Sequence, residues 1–328
     1  MSWHDDWRGL RVAVLGLDAR GFAVADTLLE LGADVTVLSP GGHTQDREEL
    51  LSVIGGRLRL IPADSDAVSV LQAIEPEVAV VTADFGPRHP LVAAVRGETA
   101  VVSELELAWR LRDKVGEPAP WLLVTGGEGA GSTAHLAEAM LLAAGRRVMA
   151  CGATEAGVPV LDAIRVPEGW ECVVIAASGD DLHFATSVSA VAAACLSSEG
   201  QRGADSDLAR VYTNAQVACV YNRDDEETMH MVEEAEVIEG CRAIGFGLGI
   251  PGPSDFGVVE GILCDRAFLE ERHASALEFA TVDLLGSAGL ATGEGVARVL
   301  AAAALARSVG VPVSALNAAL RGLGPALG

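Results

Sequence analysis

Short apolar runs alternate with helical patterns along the chain. The first run covers residues 10–16, a helical pattern continues to Leu31, and a second apolar run covers 34–38. Strands that are buried on both faces of a parallel sheet consist of nearly continuous apolar residues. The N-terminal pattern therefore predicts a strand, a helix and a second strand parallel to the first.

The same alternation continues towards the C-terminus. Apolar runs predict strands at 77–82, 100–103, 122–125, 147–151, 171–177, 190–196, 218–222 and 241–246, and a hairpin over 257–265. Helical patterns occur at 104–112, 132–145, 226–234, 294–308 and 313–322. Strands that alternate with helices indicate an α/β fold with mostly parallel sheets and helices on both faces.

A polar stretch with two prolines, residues 113–120, interrupts the apolar pattern. A chain of 328 residues is also longer than one average domain. We therefore predict two domains, an N-terminal Rossmann-like domain over 1–116 and a second α/β domain over 117–328.

The turn after the first strand has the outer glycines of a dinucleotide-binding motif, but Asp18 replaces the middle one. A carboxylate at this position would face a pyrophosphate, and no acidic residue ends the second strand, so NAD binding is disfavoured. Two interpretations remain open. The turn is either purely structural, or it forms a residual nucleotide-sugar pocket from Gly16, Leu17, Asp18, Gly21 and Ser39.

A second glycine turn joins the strand at 122–125 to the helix at 132–145. Such a turn binds phosphate through backbone amides at the helix N-terminus, and its functional form ends in Gly-Lys-Ser or Gly-Lys-Thr. Ala130 stands where the lysine belongs. The residues predicted to retain anion binding are Gly126, Gly127, Gly129, Gly131, Ser132 and Thr133.

The composition narrows the classes of partner. A net charge of −23 argues against nucleic acid and anionic membranes. No apolar run is long enough to span a bilayer, and the N-terminus lacks the pattern of a signal peptide. The six cysteines lack Cys-x-x-Cys spacing, so we expect free thiols, no metal site and a cytoplasmic location.

The order of these features resembles the Mur ligase family, most closely the actinobacterial D-glutamate-adding ligases of peptidoglycan synthesis. The stretches that carry the resemblance are 103–111, 143–148, 217–222, 240–246, 257–259, 265–268 and 301–307. The family has an N-terminal Rossmann-like domain for the UDP-sugar, a central ATPase domain with a phosphate-binding loop, and a C-terminal Rossmann-like domain. Because the match ends with the central domain, we expect the C-terminal domain to be absent.

The resemblance also places the family's chemical groups. Members use ATP to phosphorylate a carboxylate, which an amine then attacks. The phosphate-loop lysine corresponds to Ala130, a magnesium-binding glutamate to Ala176, and a carbamylated lysine to a position near Leu208. A histidine–asparagine pair corresponds to Glu294 and Gly295. Each of these positions has lost the group that the family uses.

Some family positions are retained. Asn222 and Asp225 match residues near the adenine, and we predict that they belong to a residual nucleotide site. Asp265 and His183 also match family positions. A role in a turn or helix cap is the alternative for the first three, and an ordinary surface or core histidine for His183.

These losses predict a catalytically inactive member of the family, with no catalytic residue, metal or cofactor. We expect a binding, regulatory or scaffolding role in peptidoglycan synthesis or cell division, with a protein partner. One alternative is a sensor of UDP-MurNAc precursors. Another is an ATP-dependent amide ligase whose site is completed by a second chain.

Overall fold

The computed structural model describes residues 1–42, 45–61, 67–82, 85–95, 99–152, 157–198 and 207–324. The chain forms two compact units. The first consists of Met1–Pro118, Val158–Gly169 and Asp180–Ser187, and the second of Ala119–Gly157, Trp170–Gly179 and Val188–Gly328. The roles assigned above to 1–116 and 117–328 stay predictions.

The first unit contains a parallel sheet of five strands in the order β3-β2-β1-β4-β5. Its elements up to residue 111 are β1 (Arg11–Leu15), α1 (Ala19–Glu30), β2 (Asp34–Ser39), α2 (Gln45–Val53), β3 (Arg57–Leu60), α3 (Ala67–Ile74), β4 (Val78–Val81), α4 (Pro90–Val95), β5 (Ala100–Ser103) and α5 (Glu104–Leu111). The central strand, β1, is buried from its second residue onward. This is the strand that the N-terminal apolar run predicts.

The remaining elements belong mainly to the second unit. They are β6 (Trp121–Thr125), α6 (Gly129–Ala143), β7 (Val148–Gly152), α7 (Val160–Ile164), β8 (Cys172–Ala176), α8 (Gly179–His183), β9 (Ala192–Cys195), a 3₁₀ turn (Asp207–Tyr212), β10 (Ala218–Asn222), α9 (Glu226–Glu233), β11 (Arg242–Phe246), β12 (Asp255–Val259), β13 (Ile262–Asp265), β14 (Leu277–Thr281), α10 (Val282–Gly286), α11 (Gly293–Ser308) and α12 (Val313–Gly322).

The sheet of the second unit has nine strands in the order β14-β13-β12-β11-β10-β9-β6-β8-β7. All neighbours are parallel except β12 with β13 and β13 with β14. The predicted α/β fold with mostly parallel sheets is confirmed. Among the described helices, none is long and apolar enough to cross a membrane.

The core of the second unit is built around α11. Its residues Val299–Ala306 are fully buried, and five of these eight residues are alanines, the others being one valine and two leucines. Small side chains allow this helix to pack closely against α6 and the strands β9 to β12. The packing fixes the N-terminal turn of α11 beside the glycine turn after β6.

Candidate functional site

A cavity of about 390 Å³ lies at the carboxyl ends of β6, β9, β10 and β11. In parallel α/β sheets this edge is where ligands bind, because loops and helix N-termini converge there. The residues that line the cavity are Gly126, Gly127, Glu128, Gly129, Leu196, Ser197, Asn222, Phe246, Glu294, Ala297 and Arg298. Three glycines of the predicted anion turn and Asn222 therefore meet here, together with Glu294, which the resemblance names, and with Ala297 and Arg298, which were not predicted.

Backbone conformation shapes the floor of the cavity. Gly126 and Gly127 have φ values of +92° and +95°, which other residues rarely adopt. A Cβ atom on Gly126 would lie 2.6 Å from the backbone N and O of Ser197. A glycine is therefore required where the loop after β6 passes the end of β9.

The helix that follows this loop starts without a side-chain cap. Glu128 occupies the N-cap position with helical angles, φ −59° and ψ −20°, and its exposed side chain makes no capping hydrogen bond. Ala130 N–H donates to Gly127 O at 3.1 Å. The N-terminal end of α6 thus faces the cavity, and its N-cap residue supplies no side-chain cap.

The other predicted residues of this turn lie inside α6. Ala130 and Gly131 are buried, and Ser132 Oγ donates to Gly129 O at 3.0 Å. Thr133 is fully buried, and its hydroxyl has no hydrogen-bond partner among the described residues. The alanine at position 130 therefore leaves no cation at the place where the motif has its lysine.

Arg298 brings a positive charge to the same loop from another element. It lies in the second turn of α11, and its Nε is 2.9 Å from where a Cβ on Gly129 would be. Its Nη2 donates to Glu294 Oε2 at 3.3 Å. The sequence did not predict Arg298, because the motif places its cation within the glycine loop itself. The one sequence signal for Arg298 is that it lies near the start of a predicted helix that follows a loop.

Asn222 and Asp225 fasten the loops around the cavity. Asn222 Nδ2 donates to Leu196 O at 2.9 Å, and Asn222 Oδ1 accepts from Asp224 N–H at 2.9 Å. Asp225 Oδ2 accepts from Ser198 N–H at 2.7 Å. Asn222 lines the cavity, and Asp225 accepts a hydrogen bond from Ser197, another lining residue. The nucleotide-binding role of Asn222 and Asp225 stays a prediction.

The positions that have lost the family's groups lie on several separate elements of the second unit. Ala176 is buried at the end of β8, and Leu208 is buried in the 3₁₀ turn. Glu294 is 86% exposed, and Gly295 N–H donates to the N-cap hydroxyl of Thr292 at 3.1 Å. The described residues contain no group of three histidine, cysteine, aspartate or glutamate side chains placed to hold a metal ion.

The turn after β1 is filled by the chain itself. Asp18 Oδ1 accepts from Gly21 N–H at 2.7 Å, so the carboxylate caps α1. A Cβ on Gly16 would lie 2.1 Å from Thr82 Oγ1, and one on Gly21 would lie 2.3 Å from Gly16 O. Leu17 and Ser39 are buried, and Ser39 Oγ accepts from Gly41 N–H at 3.2 Å. Whether these five residues bind a UDP-sugar stays a prediction.

A buried ion cluster follows this first turn. Arg20 Nε donates to Glu104 Oε2 at 2.6 Å, and Arg20 Nη2 donates to Asp181 Oδ1. Burial lowers the pKa of Arg20, but the carboxylates of Asp181 and Glu104 raise it by more, so that it lies above its usual value. The carboxylates of Glu104 and Asp181 thus fix the position of the Arg20 guanidinium in the first unit.

The two remaining predicted positions have structural contacts. Asp265 is buried, accepts from Ala267 and Phe268 N–H groups at 2.8 and 2.9 Å, and pairs with Arg307. The His183 ring lies edge-on to Phe184 with centroids 4.7 Å apart.

No family model matches the chain. Its family is instead shown by similar proteins of known name. A Streptomyces avermitilis protein named UDP-N-acetylmuramoylalanine--D-glutamate ligase is 40% identical over 98% of this chain and 68% of its own length. The chain belongs to this ligase family. Ligases of the same name from Leifsonia xyli and Tropheryma whipplei are 50% and 42% identical over 94% of the chain.

Coverage and fold complete this comparison. The chain spans 63% and 65% of the Leifsonia and Tropheryma ligases. A Neisseria ligase structure, UDP-N-acetylmuramate:L-alanyl-gamma-D-glutamyl-meso-diaminopimelate ligase, superposes with a TM-score of 0.56 at 15% identity, covering 95% of this chain and 97% of its own. A murein peptide ligase from Psychrobacter arcticus gives 0.53 at 14% identity, over 96% and 68%. These structures share the Mur ligase fold with the chain.

The prediction of a catalytically inactive protein is wrong, because the relatives at 40–50% identity are named as enzymes. That prediction assumed that each missing family residue removes its contribution from the protein altogether. In the structure a basic side chain lies beside the glycine loop although none is in the loop itself, because Arg298 of α11 lies close to Gly129, more than 160 residues away in the sequence.

Proposed function

We propose that this member of the D-glutamate ligase family contributes the nucleotide site of an ATP-dependent amide ligase. Its substrates would be those in the relatives' name, UDP-N-acetylmuramoylalanine and D-glutamate. The observation that carries the proposal is the cavity at the carboxyl ends of β6, β9, β10 and β11, with a glycine loop as its floor. The family membership of the chain supports the choice of substrates.

The residues of the cavity can bind and orient a nucleotide. The loop at 126–129 and the uncapped end of α6 provide backbone N–H groups for phosphate oxygens, which a helix N-terminus favours. Leu196 and Phe246 provide apolar surface at the cavity wall. Phosphoryl transfer depends mainly on positioning and charge stabilisation, and these are the contributions that such a cavity offers.

The D-glutamate side of the reaction needs a further binding region. In the family this is the third domain, which the chain or a second polypeptide would supply. Completion by another chain, a protein partner in cell-wall synthesis and a cytoplasmic location stay predictions that go with this proposal.

The test is amide formation. The protein is incubated with ATP, magnesium, UDP-N-acetylmuramoyl-L-alanine and D-glutamate, and the dipeptide product is detected by mass spectrometry, with the Leifsonia ligase as positive control. We expect D-glutamate-dependent product, either from the protein alone or after adding the part of the Leifsonia ligase that lies outside the matched region. No product in either arm would contradict the proposal.

A further inference from the structure

The glycine loop at 126–131 contains an acidic residue and no basic one. Ala130 cannot neutralise phosphate, and the exposed side chain of Glu128 lies on the cavity wall. The single lysine of the chain, Lys114, is engaged in the first unit with Glu30 Oε1 at 2.8 Å and with the ring of Trp3. A polyphosphate in this cavity therefore needs a cation from elsewhere.

We infer that Arg298 supplies the positive charge that binds nucleotide phosphates at this loop, an inference that rests on the proposed function for the identity of the ligand. Among the described residues that line the cavity, Arg298 is the one basic side chain, against the carboxylates of Glu128 and Glu294. Without Arg298 the described lining would be purely acidic in its charged groups. Its presence makes anion binding feasible.

The approach of Arg298 to the loop depends on Gly129. A Cβ atom at position 129 would lie 2.9 Å from Arg298 Nε and 3.5 Å from its Cδ. The missing side chain at 129 therefore provides the space in which the arginine lies. The first residue of α6 and the second turn of α11 are fitted to each other at the cavity.

The charge of Arg298 is available to a ligand. Its one hydrogen bond to a described residue is with Glu294, whose side chain is 86% exposed, while that of Arg298 is 28% exposed. An exposed pair on the same helix is screened by water and contributes little. Phosphate can therefore displace Glu294, since a guanidinium forms two parallel hydrogen bonds to phosphate oxygens.

Arg298 also differs chemically from the lysine that the motif has in the loop. A lysine in the loop acts as a compact point charge, whereas the guanidinium is planar and approaches from the side of α11. Exchange for lysine at 298 keeps the charge and loses the paired hydrogen bonds. We therefore expect Arg298→Lys to restore only part of the affinity that Arg298→Ala removes.

The experiment is calorimetric titration of ADP, pyrophosphate and adenosine into the wild-type protein and its variants. Arg298→Ala should weaken ADP and pyrophosphate binding by ~10- to 100-fold, Arg298→Lys by less, and neither should change adenosine binding. Arg321→Ala is the matched control, because Arg321 is an exposed helical arginine of α12 bonded to Asn317. Thermal unfolding of each variant checks that the fold is retained.

The outcomes separate the inference from the proposed function. Equal ADP affinity in the wild type and Arg298→Ala, or no ADP binding by the wild type, would overturn the inference. Arg298-dependent ADP binding without any amide product would leave the inference standing and contradict the ligase proposal. Amide formation together with an ADP affinity that does not depend on residue 298 would support the ligase proposal and contradict the inference on Arg298.

Discussion

The turns after β1 and β6 each lead a buried strand through glycine into a helix, but they present different helix N-termini. At the first turn, Asp18 caps Gly21 N–H and the side chain of Thr82 occupies the space beside Gly16. At the second turn, Glu128 makes no cap and a cavity of about 390 Å³ adjoins the loop. The first helix end is capped by the side chain of Asp18, whereas the N-cap residue of the second helix supplies no side-chain cap.

The cations near the two turns differ in the same way. Arg20 is held between the buried carboxylate of Glu104 and the nearly buried one of Asp181. Arg298 has a single hydrogen-bonded partner among the described residues, the exposed Glu294. A glycine-rich turn is therefore not enough to indicate binding, because the groups that surround the helix end decide whether an anion can enter.

The largest effect should follow from breaking the ion cluster of the first unit. Glu104→Ala leaves Arg20 buried with one carboxylate fewer, and removal of one partner from such a cluster costs ~3–5 kcal/mol in the free energy of unfolding. Urea denaturation measures this loss, with Glu294→Ala as the exposed control that should change stability very little. Equal midpoints for the two variants would contradict the distinction between Arg20, which is fixed by buried carboxylates, and Arg298, which has an exposed partner.

A somewhat smaller effect is expected when the second turn is closed by a methyl group. Gly126→Ala combines a left-handed backbone with a Cβ atom 2.6 Å from Ser197 backbone atoms, and should cost about 2–4 kcal/mol. Gly145→Ala is the matched control, since Gly145 has φ +78° with open space around it. Denaturation of both variants isolates the steric part, and an equal loss for both would contradict the tight passage of this loop.

A third helix start adds a pH-dependent test. Glu106 in α5 accepts hydrogen bonds from Ser187 Oγ at 2.6 Å and from the N–H groups of Thr186 and Ser187. Burial raises the pKa of Glu106, but these hydrogen bonds lower it by more, so the net shift is downward. A lowered folded-state pKa gives stability that is complete above the unfolded-state pKa, about 4.3, and is lost as the pH falls through the folded-state pKa.

Glu106→Gln should therefore reduce stability at pH 7 by ~1.5–3 kcal/mol and flatten its dependence on pH below about 5. Urea midpoints at several pH values for the wild type, Glu106→Gln and the exposed control Glu294→Gln provide the measurement. Parallel profiles for the wild type and Glu106→Gln would show that this carboxylate does not contribute through its charge.

The smallest effect compares the two helix caps directly. Asp18→Ala removes the side chain that accepts from Gly21 N–H and should cost ~0.5–2 kcal/mol, whereas Glu128→Ala removes no cap. Asp18→Asn keeps an acceptor and should retain most of the stability. A stability loss in Glu128→Ala as large as that in Asp18→Ala would mean that the second turn is also closed by its own chain.

Strands and long helices were predictable because burial leaves a period in the sequence. The apolar runs at 122–125 and 218–222 match β6 and β10 closely. Elements with little burial left no such signal: α2 buries Leu51 alone, and β3 is a partly exposed edge strand of four residues. Their positions are set by tertiary packing.

The contacts of individual side chains were less predictable from the sequence than the helices and strands. The sequence indicates that Ser103 caps α5, and its Oγ accepts from Glu106 N–H at 3.3 Å. The side chain of Glu106 does not return to Ser103, as a capping box would have it, because Thr186 and Ser187 offer more donors. Arg298 shows the same limit, since a contact across the fold with Gly129 has no local pattern.

The difference between the two turns can be tested most directly by hydrogen exchange with and without saturating ADP. We predict slower exchange of the amides at 126–133 and in the first turns of α11, with unchanged exchange at 16–21. Protection confined to 16–21, or no ADP-dependent protection at 126–133, would contradict the claim that the second turn is the open anion site.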